Sequence, residues 1–190
     1  IRKNKPHTPC DEGDITNISS SHILKKSGLQ KDEVDVIIGG PPCQSFSTAG
    51  MRKGFEDKRG EALLEFIRII REIRPKIFVF ENVPGLKSMA KKHIPFYDRI
   101  SIDKEKLSKD QQYGSLFVEV LEKFSGIGGY KIDWKILNAA DYGVPQKRKR
   151  LILIGSRIVD PKIIFIEIEK QAKWTNPTKA EKEKKHPMKY

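Results

Sequence analysis

Two short apolar runs stop in the same abrupt way, and that repetition leaves the chain few ways to fold. Val36-Ile37-Ile38 runs into Gly39-Gly40-Pro41-Pro42-Cys43, and Ile77-Phe78-Val79-Phe80 runs into Glu81-Asn82-Val83-Pro84-Gly85. Each run reads as a buried strand. Neither can continue, because proline fixes φ and has no N–H for a sheet ladder. Between them Leu63, Phe66, Ile67, Ile70 and Ile73 recur at three- and four-residue spacing. They mark one face of an amphipathic helix over 61–73, ended by Pro75. Two parallel strands joined by a helix bring Cys43 and Glu81 to one edge of a sheet. In open α/β sheets that edge is where ligands bind.

The rest of the chain is read from the same signals. Residues 1–10 look like a loop or frayed edge. Residues 11–18 suggest a short strand end and turn with Asp14 exposed at its tip. A short helix is expected over 19–31, with Ser21 as cap, Ile23 and Leu24 facing inward and Gly28 as its stop. Residues 47–60 combine three glycines with charges and no apolar periodicity, which suggests a long mobile loop. Residues 87–112 read as a lysine-rich surface excursion. A helix around Phe117, Val120, Leu121 and Phe124 closes at Gly126, Gly128 and Gly129, and a strand follows over 130–137. Residues 138–145 are turn-rich, Leu151-Ile152-Leu153-Ile154 is a further strand, and 163–168 reads as one more. From Lys170 onward the lysine-rich chain reads as a disordered tail, with Trp174 as its one large apolar anchor.

A length of 190 residues suffices for one α/β domain with a core. The net charge of +12 suits a polyanionic partner, most simply nucleic acid. Two cysteines, Cys10 and Cys43, make no disulfide framework and fit a reducing cytoplasm. With His7, His22, His93 and His186 scattered, they form no metal-ligand spacing. No apolar run reaches membrane-span length, and no signal peptide is visible. The chain begins at Ile1, as a fragment or processed chain would. Taken alone, Cys43 would read as a small buried cysteine beside a structural turn.

Taken together, the motifs resemble the DNA cytosine-5 methyltransferases over about residues 12–157. The match rests on Gly39 through Ser47 with its Pro-Cys-Gln core, on Glu81-Asn82-Val83, and on Gln146-x-Arg148-x-Arg150. Supporting matches are Gly13-Asp14-Ile15-Thr16, Gly54-Phe55-x-Asp57-x-Arg59-Gly60 and Asn138-Ala139-x-Asp141-Tyr142-Gly143-Val144-Pro145. The resemblance implies a Rossmann-like α/β fold dependent on S-adenosylmethionine. It implies double-stranded DNA as substrate and a role in restriction-modification, with neither metal nor membrane involved.

Cytosine C5 is a poor nucleophile until a thiolate adds at C6, and the resemblance gives that task to Cys43. Glu81 would offset the charge at N3 with a shared or raised-pKa proton. The Pro42 carbonyl would accept from the exocyclic amine. Gln44, Ser45, Asn82 and Gln146 complete the expected substrate contacts. Arg148 and Arg150, alternating along an extended segment, should face one way and clamp the base, its phosphate and the acid. The residues from Ser45 to Gly60 resemble a loop that closes over a flipped base. Asp14, Ile15 and Pro41 are the expected cofactor contacts.

The family's N-terminal Phe-x-Gly-x-Gly loop, its ribose-binding acid and its target recognition domain have no counterpart in the sequence. The expectation is therefore an incomplete catalytic domain over 1–160, with 161–190 a basic tail or the start of the target recognition region. A complementary fragment or subunit would then supply the remainder. The alternative is a non-catalytic DNA-binding or partner subunit. A thiol hydrolase would need a histidine beside Cys43, and none of the four lies in a motif. The location follows the source: cytoplasmic and nucleoid-associated in a microbe, nuclear in a eukaryote.

Overall fold

The computed structural model describes residues 7–42, 58–92 and 106–175, with 94, 97 and 102 between them. A 3-10 turn, Ile15–Asn17, leads into α1 (Ser20–Ser27) and β1 (Val36–Gly39). Helix α2 (Lys58–Ile73) joins β1 to β2 (Ile77–Asn82). Helix α3 (Ser115–Ser125), β3 (Lys131–Asn138), β4 (Lys149–Ser156) and α4 (Pro161–Thr175) follow. The sheet order is β1-β2-β4-β3. β1 and β2 are parallel, with Gly39 opposite Phe80. β4 runs antiparallel to both β2 and β3. The strand-helix-strand crossover expected from the two apolar runs is present, and Pro41 and Glu81 lie at the same sheet edge.

Register explains the core. Phe78 and Phe80 point to the α2 and α3 face with Leu151 and Leu153, and all four are fully buried. Phe66 from α2 and Phe124 from α3 meet them there, with Phe78 and Phe124 stacked at 5.1 Å between ring centroids. Burial of such side chains stabilises by about 1.5–3 kcal/mol each. Gly155 lies opposite Phe78, and a Cβ there would stand 2.0 Å from the ring, so only glycine admits it.

The buried strand expected at 36–38 is only half so. Ile37 packs against the core, whereas Val36 and Ile38 are 46% and 72% exposed. Among the described residues β1 pairs only with β2, and α4 covers the opposite face only over β3 and β4. Residues 163–168 form part of helix α4, not a strand. Asp160 caps it through Lys162 N–H, Pro161 opens its first turn, and Phe165 is fully buried while Ala172 is nearly so. The helix also carries order through Thr175, beyond the expected start of a disordered tail at Lys170. No strand end forms at 11–18; Asp14 instead caps the 3-10 turn. Ser19, not Ser21, caps α1, and Gly28 at φ 70° ends it. No described helix is long and apolar enough to cross a membrane.

The opposite sheet edge is closed by one side chain. Arg157 donates to the carbonyls of Pro75 and Arg74 at 3.1 and 2.9 Å and pairs with Asp32 at 3.0 Å. Asp32 and Arg74 both hold positive φ, at 68° and 60°, which costs a non-glycine residue roughly 1–2 kcal/mol. The guanidinium ties both down where α2 turns into β2.

Candidate active site

The ends of β1 and β2 bring three of the expected residues together. Glu81 is the penultimate residue of β2, and Gly40-Pro41-Pro42 leaves β1 beside it. A Cβ on Gly40 would stand 3.0 Å from Glu81 Oε2, so the glycine makes room for the carboxylate. Asn82 points to the other face of β2 and is buried, 6% exposed. Its amide donates to the Pro41 carbonyl at 3.2 Å, and its oxygen accepts from Val83 N–H at 2.9 Å. Asn82 thus fastens the turn that leads into Cys43. Cys43, Gln44 and Ser45 lie outside the described residues, as does the expected loop as far as residue 57.

β4 delivers the basic partner. Arg150 Nε lies 2.6 Å from Glu81 Oε1. Glu81 is paired with Ile152 in the β2–β4 register. Arg150, two residues earlier on the same face, is its diagonal neighbour. Arg148 has an exposed side chain, but its backbone is fixed. Its N–H donates to Asn138 Oδ1 at 3.1 Å and its carbonyl accepts from Ala139 N–H at 3.0 Å. Gln146 is exposed, with its N–H on the Val144 carbonyl. The structure therefore joins Arg150, not Arg148, to the acid. Asn138 and Gly40 are the residues that sequence reasoning passed over. Asn138 stood in a quoted motif but had no chemistry of its own, and Gly40 read only as a strand breaker.

A cavity of about 410 Å³ opens beside the Pro41-Pro42 turn. Its walls include Ile15, Ile38, Pro41, Ala62 and Phe66. Asp14 caps the short turn that carries Ile15, accepting from Thr16 N–H at 3.0 Å. All three expected cofactor contacts thus lie in or next to one apolar groove. Apolar walls, with Asp14 next in sequence to the lining Ile15, fit an adenosyl group, whose ring packs on hydrocarbon. Among the described residues no three potential metal ligands cluster.

A parallel strand-helix-strand unit carries an acid, a guanidinium and an apolar groove at one sheet edge, where open α/β folds place their ligands. The comparisons with known proteins make the class specific. The profile of the C-5 cytosine-specific DNA methylase family matches residues 2–189, and the chain belongs to that family. It is 40% identical over 161 residues to the type II methyltransferase M.AquIA of Picosynechococcus, covering 83% of this chain and 58% of that protein. It is 37% identical to the type II methyltransferase M.XorII of Xanthomonas oryzae, covering 75% of this chain and 28% of that protein. The chain thus spans between about a quarter and three fifths of the length of these relatives. The Entamoeba histolytica methyltransferase EhMeth shares the fold at a TM-score of 0.53 and 21% identity, over 83% of this chain and 41% of that one.

Proposed function

We propose that the protein transfers a methyl group to C5 of a flipped cytosine in double-stranded DNA. The observation that carries this reading is the Glu81–Arg150 pair beside the Pro41-Pro42 turn, on the edge where Cys43 follows. The Cys43 thiolate adds to C6 of the base, its electron pair forming the S–C6 bond while the C5–C6 π pair is displaced toward C5. Glu81 holds a proton at N3 while the ring carries the added charge, and Arg150 keeps that carboxyl in place. The Pro42 carbonyl accepts from the exocyclic amine, and Asn82, gripping Pro41, sets where that carbonyl stands. Gln44, Ser45 and Gln146 complete the base's surroundings. Arg148 meets the adjacent phosphate from its fixed backbone. Once C5 carries the methyl group, loss of its proton to solvent water restores the C5–C6 double bond and expels the thiolate.

Asp14, Ile15 and Pro41 would hold S-adenosylmethionine, which would supply the methyl group to C5 and leave as S-adenosylhomocysteine. A cytosine inside a duplex cannot reach this edge, so the base must leave the stack. In this reading residues 161–190 begin the target recognition region, with α4 as the connection packed on the sheet. A complementary segment or subunit provides the remaining cofactor and sequence contacts.

The test is transfer of radiolabelled methyl from S-adenosylmethionine to duplex DNA, with the product base identified by chromatography. We expect 5-methylcytosine, lost on Cys43→Ser. DNA binding with no transfer, unchanged by adding the complementary segment, would mean a binding subunit instead.

A further inference from the structure

We propose that Arg68, on α2, is a positioning residue for the cofactor; the inference rests on the reading of Asp14 and Ile15 as cofactor contacts. The turn bearing them is closed by its own backbone, with Asn17 N–H on the Asp14 carbonyl at 3.0 Å and Ile18 N–H on the Ile15 carbonyl at 3.2 Å. It is a compact unit, but among the described residues no strand holds it. The Arg68 guanidinium ties it to α2. One nitrogen donates to the Ile18 carbonyl at 2.8 Å, where the turn ends. A second reaches Glu72 at 2.8 Å and the Ser20 hydroxyl at 3.3 Å, and Nε pairs with Glu65 at 2.6 Å. Ser20, 6% exposed, closes the ring by donating to Glu72 at 2.6 Å.

The same helix forms the floor of the groove. Ala62, Phe66 and Ile69 line it, and Arg68 leaves the adjacent side of α2 to grip the opposite wall. The floor and the Asp14–Ile15 wall are therefore bridged by one planar fork that satisfies acceptors from two segments. A lysine could serve only one or two of them at a time. Apolar contact adds to this attachment, through Ile15 and Ile23 in the groove. Apolar contact is non-directional and leaves the turn free to slide.

The experiment uses the full protein and compares Arg68→Met, Arg68→Lys and Ser20→Ala with the unsubstituted chain. It measures S-adenosylmethionine affinity by titration, DNA affinity, and hydrogen exchange of amides 14–20. Arg68→Met should weaken cofactor binding about tenfold and Arg68→Lys about threefold, with Ser20→Ala moving the same way by about twofold. Exchange at 16–18 should accelerate in step. DNA affinity and the rate at saturating cofactor should stay within about twofold, so KM for the cofactor moves and kcat does not. Wild-type cofactor affinity in a folded Arg68→Met or Ser20→Ala protein overturns the inference while leaving the function intact. No cofactor binding by the unsubstituted protein overturns the cofactor reading itself, and the inference falls with it.

Discussion

Arg150 Nε lies 2.6 Å from Glu81 Oε1, diagonally across the antiparallel β2–β4 pair. Glu81 lies near the end of a strand that runs toward the site, whereas Arg150 lies near the start of one that runs away. The two motifs that carry them, 69 positions apart in the chain, are one device in space.

Because Arg150 acts through the Glu81 carboxyl, their losses should not add. Glu81→Gln and Arg150→Ala are each expected to lower the single-turnover methyl-transfer rate by about 100-fold or more. The double variant should be little worse than the poorer single one. Multiplicative losses in that cycle would mean that the residues act separately.

Asn82→Ala removes the amide that holds the Pro41 carbonyl and leaves that oxygen short of a donor. We expect a loss of about 1–3 kcal/mol in urea unfolding. Formation of the Cys43 adduct should slow even where DNA binding is unchanged. Wild-type adduct kinetics in Asn82→Ala would show that the turn holds itself.

Arg157 makes the opposite prediction. It lies at the far sheet edge, so Arg157→Ala should cost about 1.5–3 kcal/mol through its lost charged hydrogen bonds. The transfer rate of the folded variant should not change. Denaturant melts and a saturating assay on one preparation read both quantities.

How much of this arrangement was legible depended on whether its cause was local. Gly-Gly-Pro-Pro and Val-Pro-Gly break strands by their own stereochemistry, and β1 and β2 end within one and two residues of the apolar runs, at Gly39 and Asn82. The helix at 161–175 was misread because Ile163, Ile164, Ile166 and Ile168 weigh toward strand. The deciding signals were the Asp160-Pro161 start and the helical spacing of Pro161, Phe165 and Ala172 on the buried side. The exposure of Ile38 and the grip of Asn82 on Pro41 had no sequence signal, since each depends on which strands become neighbours. Arg68 has no sequence signal of its own, since its partners Ile18 and Ser20 come from a segment brought to α2 only by the fold.

The Ser20 hydrogen bond, and after it the Arg68 guanidinium, hold Glu72 below its ordinary value near 4.5. A carboxyl lowered on folding adds stability that is present in full above its unfolded value and lost as pH falls through the folded one. Stability should therefore fall as the pH drops below about 4.5, and Glu72→Gln should flatten that part of the profile. Urea midpoints at stepped pH, for the two proteins side by side, measure it. An unchanged acid slope in Glu72→Gln would remove Glu72 from the account.

The central claim is that Cys43 attacks the base at the edge where Glu81 and Arg150 meet. Trapping with 5-fluorocytosine DNA tests it most directly. Fluorine replaces the C5 proton, so the thiolate cannot leave after transfer. With S-adenosylmethionine and any complementary segment supplied, the account predicts a denaturant-stable protein–DNA adduct. Peptide mapping should place it on Cys43, and it should be absent in Cys43→Ser and strongly reduced in Glu81→Gln. A folded, DNA-binding protein that forms no adduct, or forms one that survives Cys43→Ser, would contradict it.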